Sequence, residues 1–344
     1  GCNKMDLIIV PSEHSKDGFI NSIYDKVQQS PDGQQQKIGE MKLEKPMEVL
    51  FEGIDESIYK PLKKDDIPKD FFNLIEDKIP ERFAFLFVGQ WVKGGFGEDR
   101  KDIGRLVKSF YETFANKKKQ PALILKTSGA GFSIMDREEC LRKIKNIKNM
   151  FPTDLQLPNI YLMHGDLSKK ELSYLYNHPK IQSMISLTHG EGFGRPLLEA
   201  TMCELPVIAP NWSGQVDFLD TDKSLLLPGK LENVPRGAVW KDIVIPESSW
   251  FVVDESSVYK ALSFAVENKY EIKGRARSLA RTNAEKFTHR HMTEKLDKII
   301  EKYLKDSPTQ VSLKLPTLKK VNDDENKMGI NKLPKLKKVT GATV

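Results

Sequence analysis

Short apolar runs alternate along the chain with longer stretches in which apolar residues recur every three or four positions. The short runs are Asp6–Val10, Glu48–Phe51, Phe83–Val88, Ala122–Lys126, Ile160–His164, Ser183–Leu187, Val207–Ala209 and Ser224–Leu227. They have strand length, and several are apolar almost throughout, as strands buried on both faces are. The longer stretches predict helices over Glu13–Gln28, Asp102–Asn116, Arg137–Met150, Lys169–Asn177, Pro196–Cys203 and Gly214–Leu219. This alternation predicts an α/β fold, a parallel sheet covered by helices on both faces. After Trp250 the pattern turns helical, over Glu255–Asn268, Ile272–Phe287 and His289–Leu304. Two regions break the order. Pro31–Glu44 is polar and reads as a loop. Ser307–Val344 carries a short repeat, "LPTLKKV" at Leu315–Val321 and "LPKLKKV" at Leu333–Val339. Its Pro and Lys content cannot bury a core, so it reads as a disordered tail or as a peptide that docks on a partner protein.

Charge changes the picture only at that tail. The chain of 344 residues has a formal net charge of +6, but from Lys305 onward nine Lys stand against four acids, a net of +5. The body is therefore about neutral at +1, and nothing in it asks for a nucleic-acid partner. No run approaches ~18 consecutive apolar residues, so no membrane span is expected. Cys2, Cys140 and Cys203 lie far apart and lack metal-ligand spacing. They fit free thiols in a reducing compartment, which implies a cytoplasmic protein. The chain opens at Gly1 with no signal-peptide pattern and enters a strand at once. It reads as the C-terminal portion of something longer.

Open parallel sheets bind ligands at the carboxyl ends of their strands. The loop after Leu187 leads into "GEGFGRPLLEA", Gly190–Ala200. Gly190, Gly192 and Gly194 can expose backbone N–H groups, and Pro196 suits a first helical turn. Free amides at a helix N-terminus favour a phosphate. Glu199 lies one turn in, where it can accept from sugar hydroxyls, and Glu191 on the loop can reach a second polar group. The plainer alternative is a helix start with an acidic loop. After Val88 comes "GQWVKGGFGEDRKDIGR", Gly89–Arg105, where Arg100 and Lys101 sit at a loop–helix junction that can face a diphosphate. A surface ion cluster is the alternative there. Lys126, ending a strand, is either a phosphate contact or a sheet cap. His164-Gly165-Asp166-Leu167 also follows a strand, where a flat base could pack.

In order along Asp6–Leu304, these segments resemble the C-terminal half of a retaining glycosyltransferase of the two-Rossmann GT-B fold, of the family 4 type. "DLIIVPSEHSKDGF", "EVLFEGIDESIYKP", "FLFVGQW…RKDIGRLVKSF" and "GEGFGRPLLEATMCELPVIAP" followed by "NWSGQVDFL" carry the resemblance. It implies a Rossmann-like donor domain over 46–288, an acceptor-domain remnant and polar loop over 1–45, a crossover helix over 289–306 and a flexible tail over 307–344. It implies transfer from a UDP- or GDP-sugar with retention and with no metal or cofactor, to an unknown acceptor held mostly by an N-terminal domain. Glu199 resembles the carboxylate that holds the ribose hydroxyls, and Glu191 the one that orients the donor sugar. The amides of Phe193 and Gly194 would cradle sugar or phosphate, and Lys101 would neutralise the leaving diphosphate. Gln90 departs from the family's arginine, and Arg100 stands close enough to replace it. Gly89, Lys126, Gly165, Asp166, Leu167, Gly192, Arg195 and Leu198 complete the implied donor site. Cys203-Glu204 departs from the usual Cys-Gly or Ala-Gly. Two other readings stay open: a nucleotide-sugar-binding or scaffolding protein without turnover, and an epimerase of the same architecture.

Overall fold

The computed structural model describes residues 1–30, 33–92, 94–129, 131–241 and 243–304, so the repeated tail lies outside the described residues. The chain begins with β1 (Ile8–Val10) and α1 (Glu13–Ile20), followed by β2 (Tyr24–Gln29), β3 (Gln35–Met41) and β4 (Met47–Val49). Next come α2 (Lys69–Lys78), β5 (Ala84–Gln90), α3 (Ile103–Phe114), β6 (Ala122–Ser128), α4 (Ile134–Lys148) and β7 (Ile160–Met163). Then follow α5 (Lys169–Asn177), β8 (Ile181–Ile185), α6 (Arg195–Met202), β9 (Val207–Pro210), β10 (Leu225–Leu227), β11 (Gly229–Asn233) and β12 (Ser249–Val253). Three helices close the described chain: α7 (Glu255–Glu267), α8 (Lys269–Ala284) and α9 (His289–Tyr303).

Six strands form one parallel sheet in the order β10-β9-β8-β5-β6-β7. The chain builds outward from β5 to β7, crosses back to place β8 on the other side of β5, and continues to β10. The order therefore reverses between β5 and β8, and a crevice opens there at the carboxyl ends of the strands. Alternate residues of each strand face opposite layers. Phe85, Phe87, Leu123 and Leu125 pack with Leu106 and Phe110 of α3 and Val258 and Leu262 of α7. Leu86 and Ile124 pack on the other face with Leu175 of α5, Leu198 of α6 and Leu279 of α8. Burial on both faces is why these strands read as unbroken apolar runs.

The first fifty residues differ from expectation. The helix predicted over Glu13–Gln28 stops at Ile20, and Tyr24–Gln29 pairs antiparallel with Gln35–Met41, inside the segment read as a loop. Every residue of both strands is exposed, so no buried face marks them with apolar alternation. The helix predicted over Gly214–Leu219 is one 3₁₀ turn, Gly214–Asp217. Helix α2 and the β11–β12 hairpin stand where no element was expected. Strands β1 and β4 pair in parallel. Helix α9 runs back to them: Lys302 Nζ meets Glu48 Oε1 at 2.6 Å and the Tyr303 hydroxyl donates to it at 2.8 Å. Gly1–Tyr303 forms one compact unit. Among the described residues, no helix is long and apolar enough to cross a membrane.

Candidate functional site

The crevice between β5 and β8 is built from two loops that hold each other. The loop after β5 ends in Asp99-Arg100-Lys101-Asp102, and Asp102 begins α3 in the left-handed conformation, at φ 50°. The loop after β8 runs from Ser186 to Gly194. The His189 amide donates to the Arg100 carbonyl at 2.9 Å. Arg100 returns a hydrogen bond from Nη1 to the Gly190 carbonyl at 2.6 Å. These two bonds bring Lys101 onto Glu191: the ammonium and the carboxylate form a short ion pair, with side chains only 13% and 12% exposed. Arg100 Nη1 lies 3.4 Å from the other Glu191 oxygen. Burial raises the Glu191 carboxyl, but Lys101 and Arg100 outweigh it and hold it below its ordinary value. Burial pulls the Lys101 ammonium down, and the Glu191 carboxylate opposes that. We therefore read Glu191 as ionised at neutral pH.

Beyond Glu191 the chain turns into α6. Gly194 sits at φ +95°, where a side chain would be strained. Pro196 occupies the first turn of the helix. Among the described residues, no acceptor meets the amides of Gly192, Phe193 or Gly194. They stand at the positive end of the helix dipole, which is how an anion site is made. The loop is held from behind by the segment after β9. Ser213 Oγ accepts from the Glu191 amide at 2.9 Å, and Gly214 donates to the Glu191 carbonyl at 3.0 Å. A β-carbon at Gly214 would lie 2.3 Å from the Gly192 carbonyl oxygen and 2.7 Å from the Phe193 Cα. Gly214→Ala should therefore push the loop off its seat. A drop in melting temperature together with weaker anion binding would check this; an unchanged protein would show that the backbone yields freely.

Glu199 lies on the buried side of α6. Arg195 Nε meets it at 3.0 Å, and the Tyr176 hydroxyl lies at 3.5 Å. Burial raises its carboxyl above the ordinary value, against Arg195, Tyr59 and Tyr176. Leu198 points into the core and is fully buried, so its side chain packs the helix. The Phe193 ring is also buried, against Phe218. Gly89 stands next to Lys101: a β-carbon there would lie 3.6 Å from Lys101 Cε. Gln90 ends β5 and is exposed.

The remaining predicted residues form a second group across the crevice. Lys126 Nζ donates to the Gly165 carbonyl at 2.6 Å, so it ties β6 to the loop after β7. Asp166 Oδ1 accepts from the Leu167 amide at 3.0 Å. His164 Nε2 lies 2.7 Å from Asp136 Oδ2, and Asp136 also accepts from the Gly129 amide. Asp136, Tyr59, Tyr176 and Ser213 gave no signal in the sequence, because their relation to the site exists only across the fold. Asp99 and Asp102 were legible only as part of a mixed charge cluster. Yet both are buried, and Asp102 lies 3.0 Å from Arg105 Nε and 3.7 Å from His189 Nε2. Among the described residues, no three His, Cys, Asp or Glu side chains cluster as metal ligands.

A cavity of about 780 Å³ opens over Arg100, Gly190, Glu191 and Gly192. Its far wall comes from the first part of the chain, including His14, Phe19, Tyr24 and Met41.

The fold, a six-stranded parallel sheet covered by helices on both faces, is that found in GT-B glycosyltransferases. Residues 107–230 match the sequence model of the family described as glycosyl transferases group 1; the segment contains Glu191 and Glu199 and stops short of Arg100 and Lys101. Among solved structures, the chain is similar to sucrose-phosphate synthase from Thermosynechococcus elongatus, with TM-score 0.58 and 14% identity over 89% of this chain and 60% of that one. HepE of Anabaena, in complex with UDP and glucose, matches with TM-score 0.58 and 14% identity over 88% of this chain and 65% of that one. A glycosyltransferase from Rickettsia africae matches with TM-score 0.53 and 15% identity, over 89% and 65%. The chain thus spans less than two thirds of the length of these proteins. No curated protein matches the sequence.

Proposed function

We propose that the protein is the donor-binding part of a retaining glycosyltransferase that takes a UDP- or GDP-sugar. The observation that carries this is one constellation. Lys101, Arg100 and Glu191 meet beside the Gly192–Gly194 amides at the start of α6, which meet no acceptor among the described residues, with the Glu199 carboxylate one turn further on. A nucleotide sugar presents ribose hydroxyls, a diphosphate and sugar hydroxyls in that order. Glu199 matches the first, the Gly192–Gly194 amides with Lys101 and Arg100 match the second, and Glu191 matches the third. Gly89 lies next to Lys101, and Lys126 with Gly165, Asp166 and Leu167 forms the wall on which the base rests.

Transfer breaks the bond between the anomeric carbon and the diphosphate oxygen, and the electron pair leaves with that oxygen. Negative charge grows there as the sugar becomes oxocarbenium-like. Lys101, Arg100 and the amides are fixed before the reaction, so they stabilise that charge without reorganising. The acceptor hydroxyl closes on the anomeric carbon from the departing side and passes its proton to the leaving phosphate. The reading needs no metal ion. It places the protein in the cytoplasm, where nucleotide sugars are at hand.

The two glutamates separate the roles. Glu199→Ala should weaken free UDP or GDP, since ribose is present with or without sugar. Glu191→Ala should weaken mainly the sugar nucleotide. Each lost hydrogen bond to a charged group is worth roughly 1.5–3 kcal/mol, about ten- to a hundredfold in affinity. Calorimetric titration of both variants with UDP, GDP and their glucose conjugates is the test. Equal weakening of the free diphosphate by both changes would overturn the division, and no binding by the folded parent protein would overturn the function.

A further inference from the structure

A second cavity, of about 260 Å³, opens beside the charged cluster and borders the larger one at His14, Arg100 and Gly190. Two indoles line it, Trp212 from the loop after β9 and Trp250 from β12. Each is braced by a parallel ring. Trp212 lies flat on Phe251, with centroids 5.4 Å apart and planes 6° apart, and meets the edge of His14 at 5.1 Å. Trp250 lies flat on His189, at 4.6 Å and 15°. His189 is itself fixed, because Nδ1 is hydrogen-bonded to the Phe251 carbonyl at 2.8 Å. Leu231 of β11 completes the apolar wall. The hairpin that carries Trp250 and Leu231 has no counterpart among the elements expected from the sequence.

The chemistry of this cavity is specific. It is mostly aromatic: burial keeps the His14 imidazole below its ordinary value, and among the described residues that line the cavity the one fixed charge is Arg100, whose Nη1 meets the Gly190 carbonyl and lies 3.4 Å from Glu191. A pyranose ring has one apolar C–H face and a rim of hydroxyls. The face packs on an indole, and the rim can find Arg100 and Ser249, which also lines the cavity. Rigid aromatic walls with a few polar groups are how small-molecule sites recognise such a ligand. The volume lies just below the ~300 Å³ at which ordinary ligand sites begin, room for a single ring. Glu191, which lines the larger cavity and not this one, is where the donor sugar was assigned. A ring against Trp212 and Trp250 is thus one position further out, across Arg100.

We propose that this cavity binds a neutral sugar residue of the acceptor, stacked between Trp212 and Trp250. The acceptor is then a glycan or glycoside held in part by the donor domain. This rests on the donor reading above for the identity of the neighbouring ligand.

The test uses the full chain and simple probes: methyl α- and β-glucosides, methyl β-galactoside, cellobiose and chitobiose. Binding is read by tryptophan fluorescence and calorimetry, with UDP titrated in parallel. At least one saccharide should saturate. Trp212→Leu and Trp250→Leu should each weaken it about tenfold, the loss of one stacking face, while UDP affinity stays within about twofold. Trp240→Leu, which removes an exposed indole away from the cavity, should change neither affinity. Trp212→Phe keeps a ring in place and should retain most of the affinity, which guards against a folding defect in the leucine variant. A protein that binds UDP but saturates with no probe below about 50 mM, under ~2 kcal/mol of binding, would overturn the proposal. So would saccharide binding that both leucine variants leave intact. Displacement of the saccharide by UDP-glucose but not by UDP would assign the cavity to the donor sugar and overturn the acceptor assignment. Saccharide binding with no UDP binding would support the cavity and overturn the donor reading instead.

Discussion

Replacing Lys101 by Ala should cost stability and donor binding together, whereas Lys101→Met combined with Glu191→Gln should restore the first and not the second. Lys101 and Glu191 form an ion pair of which little reaches water. Removing one partner of such a pair leaves an uncompensated buried charge, a loss of about 3–5 kcal/mol. Arg100 still lies 3.4 Å from Glu191, but its side chain is 45% exposed, so solvent screens its help. The expected loss for Lys101→Ala is therefore at the lower end of that range. The double variant removes both charges and fills the space with side chains of similar length. Its urea midpoint should return close to that of the parent protein. Its affinity for UDP should not return, because the ammonium proposed to meet the diphosphate is gone. One charge-assisted contact is worth roughly ten- to a hundredfold in affinity. Where donor hydrolysis or transfer is measurable, the rate should fall about 10²–10³-fold, the usual cost of one fixed charge at a developing anion. A double variant that binds UDP as the parent does would show that Lys101 holds Glu191 and nothing else.

Asp102→Asn should stabilise the protein at pH 8 and leave it nearly unchanged at pH 4. The Asp102 carboxyl is buried at the start of α3, and burial raises it from 3.8 to about 7. Arg105 opposes the rise, and Asp99 adds to it. Its folded value therefore lies above its unfolded one, and the folded protein holds this proton more tightly. That favours folding fully below the unfolded value, near 3.8, and the benefit is lost as pH rises through about 7. A difference of about three pH units corresponds to about 4 kcal/mol between the two limits. Asparagine cannot ionise, and like aspartate it tolerates the left-handed conformation. His189 is pushed below its ordinary value by burial, so it stays neutral across the upper part of the window. Urea unfolding at pH 4, 6 and 8 should show the gap between variant and parent widening with pH, by about 2–4 kcal/mol in all once the lost Arg105 contact is counted. A constant gap would mean that Asp102 is ionised throughout in the folded protein.

The sheet was legible because β5, β6, β8 and β9 are covered on both faces, which forces continuous apolar runs. The glycine loop before α6 was legible because Gly194 must adopt positive φ and Pro196 fits a first turn, both local requirements. The hairpin of β2 and β3 was not legible, since its fully exposed strands carry no buried stripe. Helix α1 was overrun for the same reason: the apolar residues where it gives way to β2, Phe19, Ile20, Ile23 and Tyr24, are all exposed, so no buried stripe marks its end. The spacing of Glu191 and Glu199, eight positions across a loop and a helical turn, is likewise a local fact. So is the placing of Arg100 and Lys101 at the start of a helix.

What the sequence determined by itself was thus the local part: apolar runs, the glycine turn into α6, and which charged residues end which strands. Only the tertiary structure decided which of them meet. Lys101 and Glu191 are 90 positions apart, and they touch because β8 returns to lie beside β5 instead of continuing past β7. The same crossing seats His189 against Asp102, and the β11–β12 hairpin brings Trp250 to the cavity that Trp212 also lines. Strand order is set by the sum of many packing contacts across both layers of the sheet. No single stretch of chain carries that sum, which is why the charges could be named from the sequence while their pairing, burial and shifted protonation could not.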